Sequence, residues 1–375
     1  MPAPAPPLRP AAALRTTRID PASPHAASQD EIAVAAGYAV GIDIGGTNTK
    51  LGLVDPNGQI VVREKVKTAS LEQPRNACES FRAFAAAALA EASVEPQEPI
   101  AVGVAVPGIL DARTGLLEYV ANLPEWREFP LRQTLQSIFE GPVAVANDAN
   151  AAAFAEYARR QLTDESLALL TLGTGIGCGV VVNGHPYHGD HGCGFEVGHV
   201  PVAFGPDARM CGCDKPGHVE AYVGRSGVLR TAGELIETQG LTERLAELTD
   251  GGRKRLSPRH LAQAAESGDA IAGETIDRTA DWVGVAAAIL CQTLDPSYIL
   301  IGGAMTFGGR GSDVGRRFLD RVIESNARVS LDSVAKRVVI DFASLGNDAG
   351  ICGICELARL GAPARVAQRP KVAAG

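Results

Sequence analysis

Two stretches of this chain share one plan, and that plan limits the fold more than any other feature. Residues 38–46 read YAVGIDIGG, apolar and β-rich, and a glycine-pair turn leads into TKLGLVD at 49–55. The turn Asp55-Pro56-Asn57-Gly58 then leads into QIVVREKV at 59–66. Three short β-prone runs joined by tight turns predict an antiparallel meander. A helix is predicted over 76–94, with Phe81, Phe84 and Leu89 at helical spacing. The continuous apolar run IAVGVAVPG at 100–108 follows, as expected of a strand buried on both faces.

The plan then recurs. SLALLTLGTGIGCGVVVNG at 166–184 places two strands around a second glycine turn, and HPYHG at 185–189 leads off a third, weaker segment. Helices are predicted over 258–267, 271–294, 312–327 and 348–360, with strands at 298–301 and 337–343. A meander followed by alternating helix and strand, twice, predicts two α/β domains of like plan facing each other over a cleft.

With 375 residues the chain has room for both. A formal net charge of −8 without a long basic run argues against a nucleic-acid surface. No run approaches the roughly 18–20 apolar residues of a membrane span. Residues 1–37 are rich in proline and alanine and read as a disordered tail. Eight cysteines are too few for a disulfide scaffold, so a reducing, cytoplasmic setting is expected.

The first glycine turn runs Asp43-Ile44-Gly45-Gly46-Thr47-Asn48-Thr49-Lys50. A Gly-Gly pair can bring exposed backbone N–H groups close to an anion, and a carboxylate at a strand end can hold Mg²⁺. The residues fit neither a Walker A loop nor a dinucleotide fingerprint, since a strand follows rather than a helix. The second turn, Gly173-Thr174-Gly175-Ile176-Gly177, repeats the arrangement. A triphosphate lying between two domains needs a cradle from each side. A third pair, Gly302-Gly303, ends the run SYILI and would leave room for a flat nucleoside.

Taken in order, DIGGTNTK, VPGILD, ANLPEW, NDANAAAFAE, LGTGIGCGVVVNG, EVGH, CGCDKPGHVE and ILIGGA resemble the ROK family of bacterial sugar kinases and repressors. The resemblance spans about residues 38–362. It implies an actin/hexokinase-like ATPase fold with ribonuclease H-like halves around an interdomain cleft. A smaller domain of 38–156 plus 345–365 and a larger one of 157–344, with a flexible end at 366–375, are expected. It also implies ATP and Mg²⁺ held at Asp43, Gly45, Gly46, Thr47, Lys50, Gly173, Thr174, Gly175, Gly177, Gly302 and Gly303. Asp148 is implied as the catalytic base, beside the sugar ligands Asn122, Asn147, Glu196, His199 and Glu220. Read locally, Asp148 suits a helix N-cap instead. Glucose is the first candidate substrate. N-acetylmannosamine, N-acetylglucosamine, fructose and allose stay open, as does polyphosphate as donor. A sugar-responsive repressor is the rival class, but residues 1–37 are too short and proline-rich for a helix-turn-helix module. A homodimer is implied by the resemblance alone.

His199, Cys211, Cys213 and His218 make a donor set suited to tetrahedral Zn²⁺. The family pattern implies two departures here: Asp214 stands where glycine is usual, and His218 where a third cysteine is usual. A closed, structural zinc that rigidifies the wall between His199 and Glu220 is expected. Cys352-Gly353-Ile354-Cys355 reads as core packing rather than a redox pair.

Overall fold

The computed structural model describes residues 37–95, 100–120, 123–252 and 255–361. Most of the N-terminal segment, the chain's last residues and Asn122 lie outside them. Strands β1 (Ala39–Ile44), β2 (Asn48–Val54), β3 (Ile60–Lys67) and β4 (Ala101–Val106) are followed by β5 (Ile109–Asp111), β6 (Leu116–Tyr119) and β7 (Phe129–Pro130). Then come β8 (Val143–Asn147), β9 (Leu167–Leu172), β10 (Ile176–Val182), β11 (His185–Pro186), β12 (Tyr298–Gly303) and β13 (Val339–Phe342). The first five-stranded sheet has the order β3-β2-β1-β4-β8, and the second β11-β10-β9-β12-β13. In each, a three-stranded meander is extended by two strands parallel to its first. The repeated plan expected from the glycine turns is therefore present. β5, β6 and β7 add a small third sheet that the sequence analysis does not predict.

Local chemistry explains the elements. The AVGVAV run of β4 is buried at every residue, whereas β3 alternates and lies at a sheet edge. Asp55 Oδ1 accepts from the N–H groups of Asn57 and Gln59 at 2.9 and 2.8 Å, closing the β2–β3 turn. The helices are α1 (Pro74–Glu91), α2 (Leu131–Ile138), α3 (Asp148–Arg159), α4 (Glu220–Val223), α5 (Arg225–Gln239) and α6 (Glu243–Leu248). They continue with α7 (Pro258–Glu266), α8 (Ala270–Leu294), α9 (Asp313–Val329), α10 (Asp332–Ala335) and α11 (Ala349–Leu360). Ser257, Asp269 and Ser312 cap α7, α8 and α9, accepting from backbone N–H groups of the first turn. α1, α7, α8, α9 and α11 thus lie where the sequence places helices; α2, α5 and α6 carry no signal recognised in the sequence.

The two sheets are joined through a pair of helices rather than directly. α11 lies on the first sheet, where a Cβ on Gly41 would come 2.7 Å from Ile351 O and one on Gly103 2.4 Å from Ile354 O. α3 lies on the second, where a Cβ on Gly179 would come 2.0 Å from Ala149 O. The helices meet at Gly353, where a Cβ would fall 1.7 Å from Ala151 O. Only glycine allows backbones to approach this closely. Beside the crossing, the fully buried Glu156 accepts from Ser344 N at 2.5 Å, Leu345 N at 2.7 Å and Ser344 Oγ at 2.9 Å, and pairs with Arg160. This ties α3 to the segment that leads into α11. Cys355 is buried in the same packing, where burial raises its thiol pKa, consistent with a core role for the Cys352–Cys355 pair.

Gly353→Val should cost about 3 kcal/mol or more, because the added atoms have backbone on one side and no room to move. Gly311→Ala, with nothing within 4 Å of the new methyl group, should change stability by less than about 0.5 kcal/mol. Urea unfolding of both variants checks this, and equal midpoints would contradict it.

Candidate active site and metal clip

The helix pair brings several segment ends together. Asp43 is the penultimate residue of β1, and its carboxylate lies against the start of α11: a Cβ on Gly350 would come 2.6 Å from Asp43 Cγ. Lys50, opposite Asp43 across the β1–β2 pair, donates to Asp43 Oδ2 at 3.1 Å and to Asn347 O at 2.9 Å. α3 begins at Asp148.

The N-cap of α3 is Asn147, not Asp148. Asn147 Oδ1 accepts from Ala149 N at 2.9 Å and Asn150 N at 3.4 Å, and its Nδ2 reaches Gly108 O at 3.4 Å. Asp148 Oδ1 accepts from Ala149 N at 2.8 Å. Its second oxygen makes no hydrogen bond to a described residue. Capping by Asn147 therefore leaves that oxygen available. The Asp148 carboxyl is pushed up to about 7, first by desolvation, then by the charge of Asp43, with Glu196 adding a smaller push. The residue as a whole is half-buried, while its carboxyl group is largely removed from solvent, and that desolvation is the main cause of the shift.

The glycine turns are held differently from a simple open nest. Gly45 N–H donates to Asn48 O at 3.2 Å and Gly45 O accepts from Thr68 Oγ1 at 2.6 Å, which leaves Gly46 and Thr47 as the exposed tip. In the second turn, Gly173 N–H donates to Gly175 O at 2.9 Å, and Thr174 is exposed. Glu220, at the start of α4, lies under that turn: Oε2 accepts from Ile176 N at 3.2 Å, and a Cβ on Gly175 would come 2.0 Å from the same oxygen. Its Oε1 accepts from the Cys211 thiol at 3.5 Å. Glu220 thus connects the Gly173–Gly177 turn to the cysteine loop, a role the sequence did not suggest. At Gly177 a Cβ would come 2.7 Å from Thr171 Oγ1, so a larger residue would require that hydroxyl to shift.

Gly302 and Gly303 line a cavity of about 370 Å³. Thr171, Thr306, Arg310, Asp341, Ser344 and Gly346 contribute to its wall. Gly303 has a second reason to be glycine: φ is 91°, and a Cβ would come 2.3 Å from Leu172 O. Arg310 and Asp341 pair at 2.6 Å on the cavity wall. Neither was singled out in the sequence, because an isolated Arg and an isolated Asp 31 residues apart carry no local pattern.

Glu196 precedes the single 3₁₀ turn Val197–His199 and is exposed. His199, Cys211, Cys213 and His218 converge, with all four ligand atoms within 4.8 Å of one another. Cys211 Sγ lies 3.8 Å from His199 Nδ1, and Cys213 Sγ 3.2 Å from His218 Nδ1. A tetrahedral zinc with bonds of about 2.0–2.3 Å needs donor separations of roughly 3.3–3.8 Å; these two separations lie close to that range, and the four donors are of the types zinc takes. The hairpin beneath is set by Cys211 N–H to Lys215 O at 2.9 Å and Asp214 N–H to Cys211 O at 3.0 Å. Asp214 has φ 61°, a left-handed conformation that explains why glycine suits the position and why aspartate is tolerated. Of the remaining loop histidines, His188 Nδ1 lies 3.0 Å from Asn150 Nδ2. The His185–His191 loop joins no second metal-type cluster among the described residues.

Comparison with known proteins agrees with this geometry. The model of the ROK family matches residues 39–360. A glucokinase of Streptomyces coelicolor is 31% identical over 326 residues, covering 86% of this chain and 98% of that protein. A glucokinase of Halalkalibacterium halodurans is 31% identical, covering 84% and 93%. The crystal structure of a ROK family glucokinase from Streptomyces griseus, in complex with glucose and AMPPNP, superposes with a TM-score of 0.70 at 30% identity. It covers 86% of this chain and 99% of its own. The doubled sheet plan, the helix crossing between the sheets and these matches along nearly the whole described chain lead to one conclusion: the protein belongs to the ROK family and has its actin/hexokinase-like fold.

Proposed function

We propose that this protein transfers the γ-phosphoryl group of ATP to a hexose hydroxyl, with glucose as substrate and glucose 6-phosphate as product. The observation that carries the reading is Asp148: a carboxylate at a helix start, with one unengaged oxygen and a pKa raised to about 7. An alcohol is a poor nucleophile, and a carboxylate whose pKa lies near the working pH is suited to take its proton as the bond to phosphorus forms. Asn147 keeps only its amide N–H₂ for a sugar, since its oxygen caps the helix. Glu196 and His199 stand on the neighbouring wall as hydroxyl partners. Glu220 reaches that wall from beneath the Gly173–Gly177 turn.

Gly46, Thr47 and Thr174 are the exposed tips that would meet the phosphates, and the cavity beside Gly302 and Gly303 is of a size for a nucleoside. Asp43, with Asp148 and Glu196 nearby and only Lys50 to offset them, forms a carboxylate group that suits Mg²⁺, which when bound neutralises phosphate charge. Lys50 holds Asp43 in place from the facing strand. We assign residues 38–156 plus 345–365 and residues 157–344 to two domains whose closure would exclude water as a competing acceptor. Zn²⁺ held by His199, Cys211, Cys213 and His218 would be structural, fixing His199 and the Cys211–Glu220 contact in one wall.

A coupled assay over a panel of sugars, with ATP and with polyphosphate, tests the reading. Glucose with ATP should give the highest kcat/KM, and absence of turnover with every sugar would refute it. In the same assay Asp148→Asn should lower kcat by roughly 10²–10⁴-fold. Sugar affinity, measured by calorimetry, should stay near wild type.

The kcat/KM profile should have an acid limb near pH 7, because Asp148 must be ionised to act as base. Glu196→Gln removes a charge that raises this pKa, so the limb should move to lower pH. The stability effect has the opposite sense. With the folded-state pKa raised above the unfolded value of about 3.9, the favourable contribution is complete below that value and is lost as pH rises through about 7. Asp148→Asn should therefore be more stable than wild type at pH 8, by about 1–2 kcal/mol once solvent access is allowed for, and equal to it near pH 3.

Metal analysis should find one zinc per chain. Chelation, or His218→Ala, should remove it and weaken sugar affinity while leaving the helix content seen by circular dichroism. A protein purified without zinc, with full sugar affinity, would contradict the clip.

A further inference from the structure

The residue just before Glu196 is a bulky side chain in a backbone conformation it disfavours. Phe195 has φ 58°. An aromatic residue there costs on the order of 1–2 kcal/mol, and such strain persists only where the surroundings hold it.

The surroundings here are explicit on both sides. The Phe195 ring packs edge-on against Tyr187, with centroids 5.5 Å apart and planes at 74°. Tyr187 N–H donates to Val180 O at 2.8 Å, so that ring is carried by β10 of the second sheet. Phe195 also packs against the core of that sheet. On the other side Phe195 O accepts from Val197 N at 2.6 Å, and a Cβ on Gly198 would come 2.6 Å from Ile176 O. Glu196 is thus an exposed residue suspended between two anchored ones, with its charge felt at Asp148.

We propose that Phe195 is a positioning residue: its left-handed backbone, locked by the Tyr187 ring, aims the Glu196 carboxylate at the sugar site beside Asp148. This rests on the sugar-kinase reading of the same site. With φ relaxed to a negative value, the peptide joining residues 195 and 196 would rotate and carry the carboxylate with it. Glycine would accept φ 58° without strain but would accept many other values too. The strain is what a bulky residue incurs for a single orientation, and the ring contact is what keeps it from relaxing.

Steady-state kinetics on Phe195→Gly tests this. The KM for the sugar should rise roughly tenfold or more, as expected when a charged hydrogen-bonding partner is lost. kcat should stay within about threefold, and the KM for ATP should not change. Phe195→Tyr, which keeps the ring, should restore the sugar KM. Tyr187→Ala, which leaves Phe195 in place, should raise it in the same direction by less. An unchanged sugar KM in Phe195→Gly, or an equal loss in the ATP KM and kcat, would overturn the proposal while the wild type still phosphorylates sugar. Absence of sugar turnover in the wild type would overturn the functional reading first and this inference with it.

Discussion

The contact of α3 with α11 at Gly353 is the constraint on which the rest of the molecule depends. Each helix belongs to a different sheet, and each lies on its sheet over glycines: Gly41 and Gly103 under α11, and Gly179 under α3. At the crossing the backbones approach so closely that a methyl group on Gly353 would overlap Ala151 O. Close-packed backbone has no flexible side chain to yield, so the geometry is transmitted and not absorbed. It sets how the end of β1 lies relative to the start of α3, and so how Asp43 lies relative to Asp148. Glu156 strengthens the joint by accepting from the backbone N–H groups of Ser344 and Leu345.

That geometry crowds negative charge. Asp43 and Glu196 both raise the pKa of Asp148, and Lys50 is engaged with Asp43 rather than with Asp148. The arrangement is unfavourable for the free protein and suited to ligands that bring cations and hydroxyls. Division of labour at the start of α3 matters as much. Because Asn147 supplies the cap, Asp148 is spared the task for which its residue type is most often used at a helix start.

The His199, Cys211, Cys213 and His218 cluster shows how local backbone shapes a candidate metal site. His218 lies 3.2 Å from Cys213, within the closed hairpin. Asp214 accepts the left-handed backbone that the hairpin demands. Gly217 cannot be replaced so readily, since a Cβ would come 1.8 Å from Ala203 O. Through Glu220 the cysteine loop is continuous with the Gly173–Gly177 turn.

What was legible in the sequence was carried by short periods and short motifs. The β-prone run of β3, the apolar run of β4, the helical spacing in α1 and the paired glycine turns all depend on neighbours within a few residues, and they imply the doubled plan directly. The four candidate metal ligands were legible for the same reason: three of them lie within eight residues. The tertiary structure alone decided the contacts between distant segments. Nothing local distinguishes Gly353 from any other helical glycine, or shows that Asn147 rather than Asp148 caps α3. Glu220 was readable as a polar group near the site, but its place under Gly175 follows from the packing of α4 against the β9–β10 turn. Arg310 and Asp341 became a pair, and Phe195 a strained residue, only when the sheets were assembled. The sequence determined which elements form, because hydrogen bonding and side-chain period act locally; packing decided which functional groups meet, because that depends on backbones as far apart in the chain as Gly41 and Ile351 approaching to within van der Waals contact.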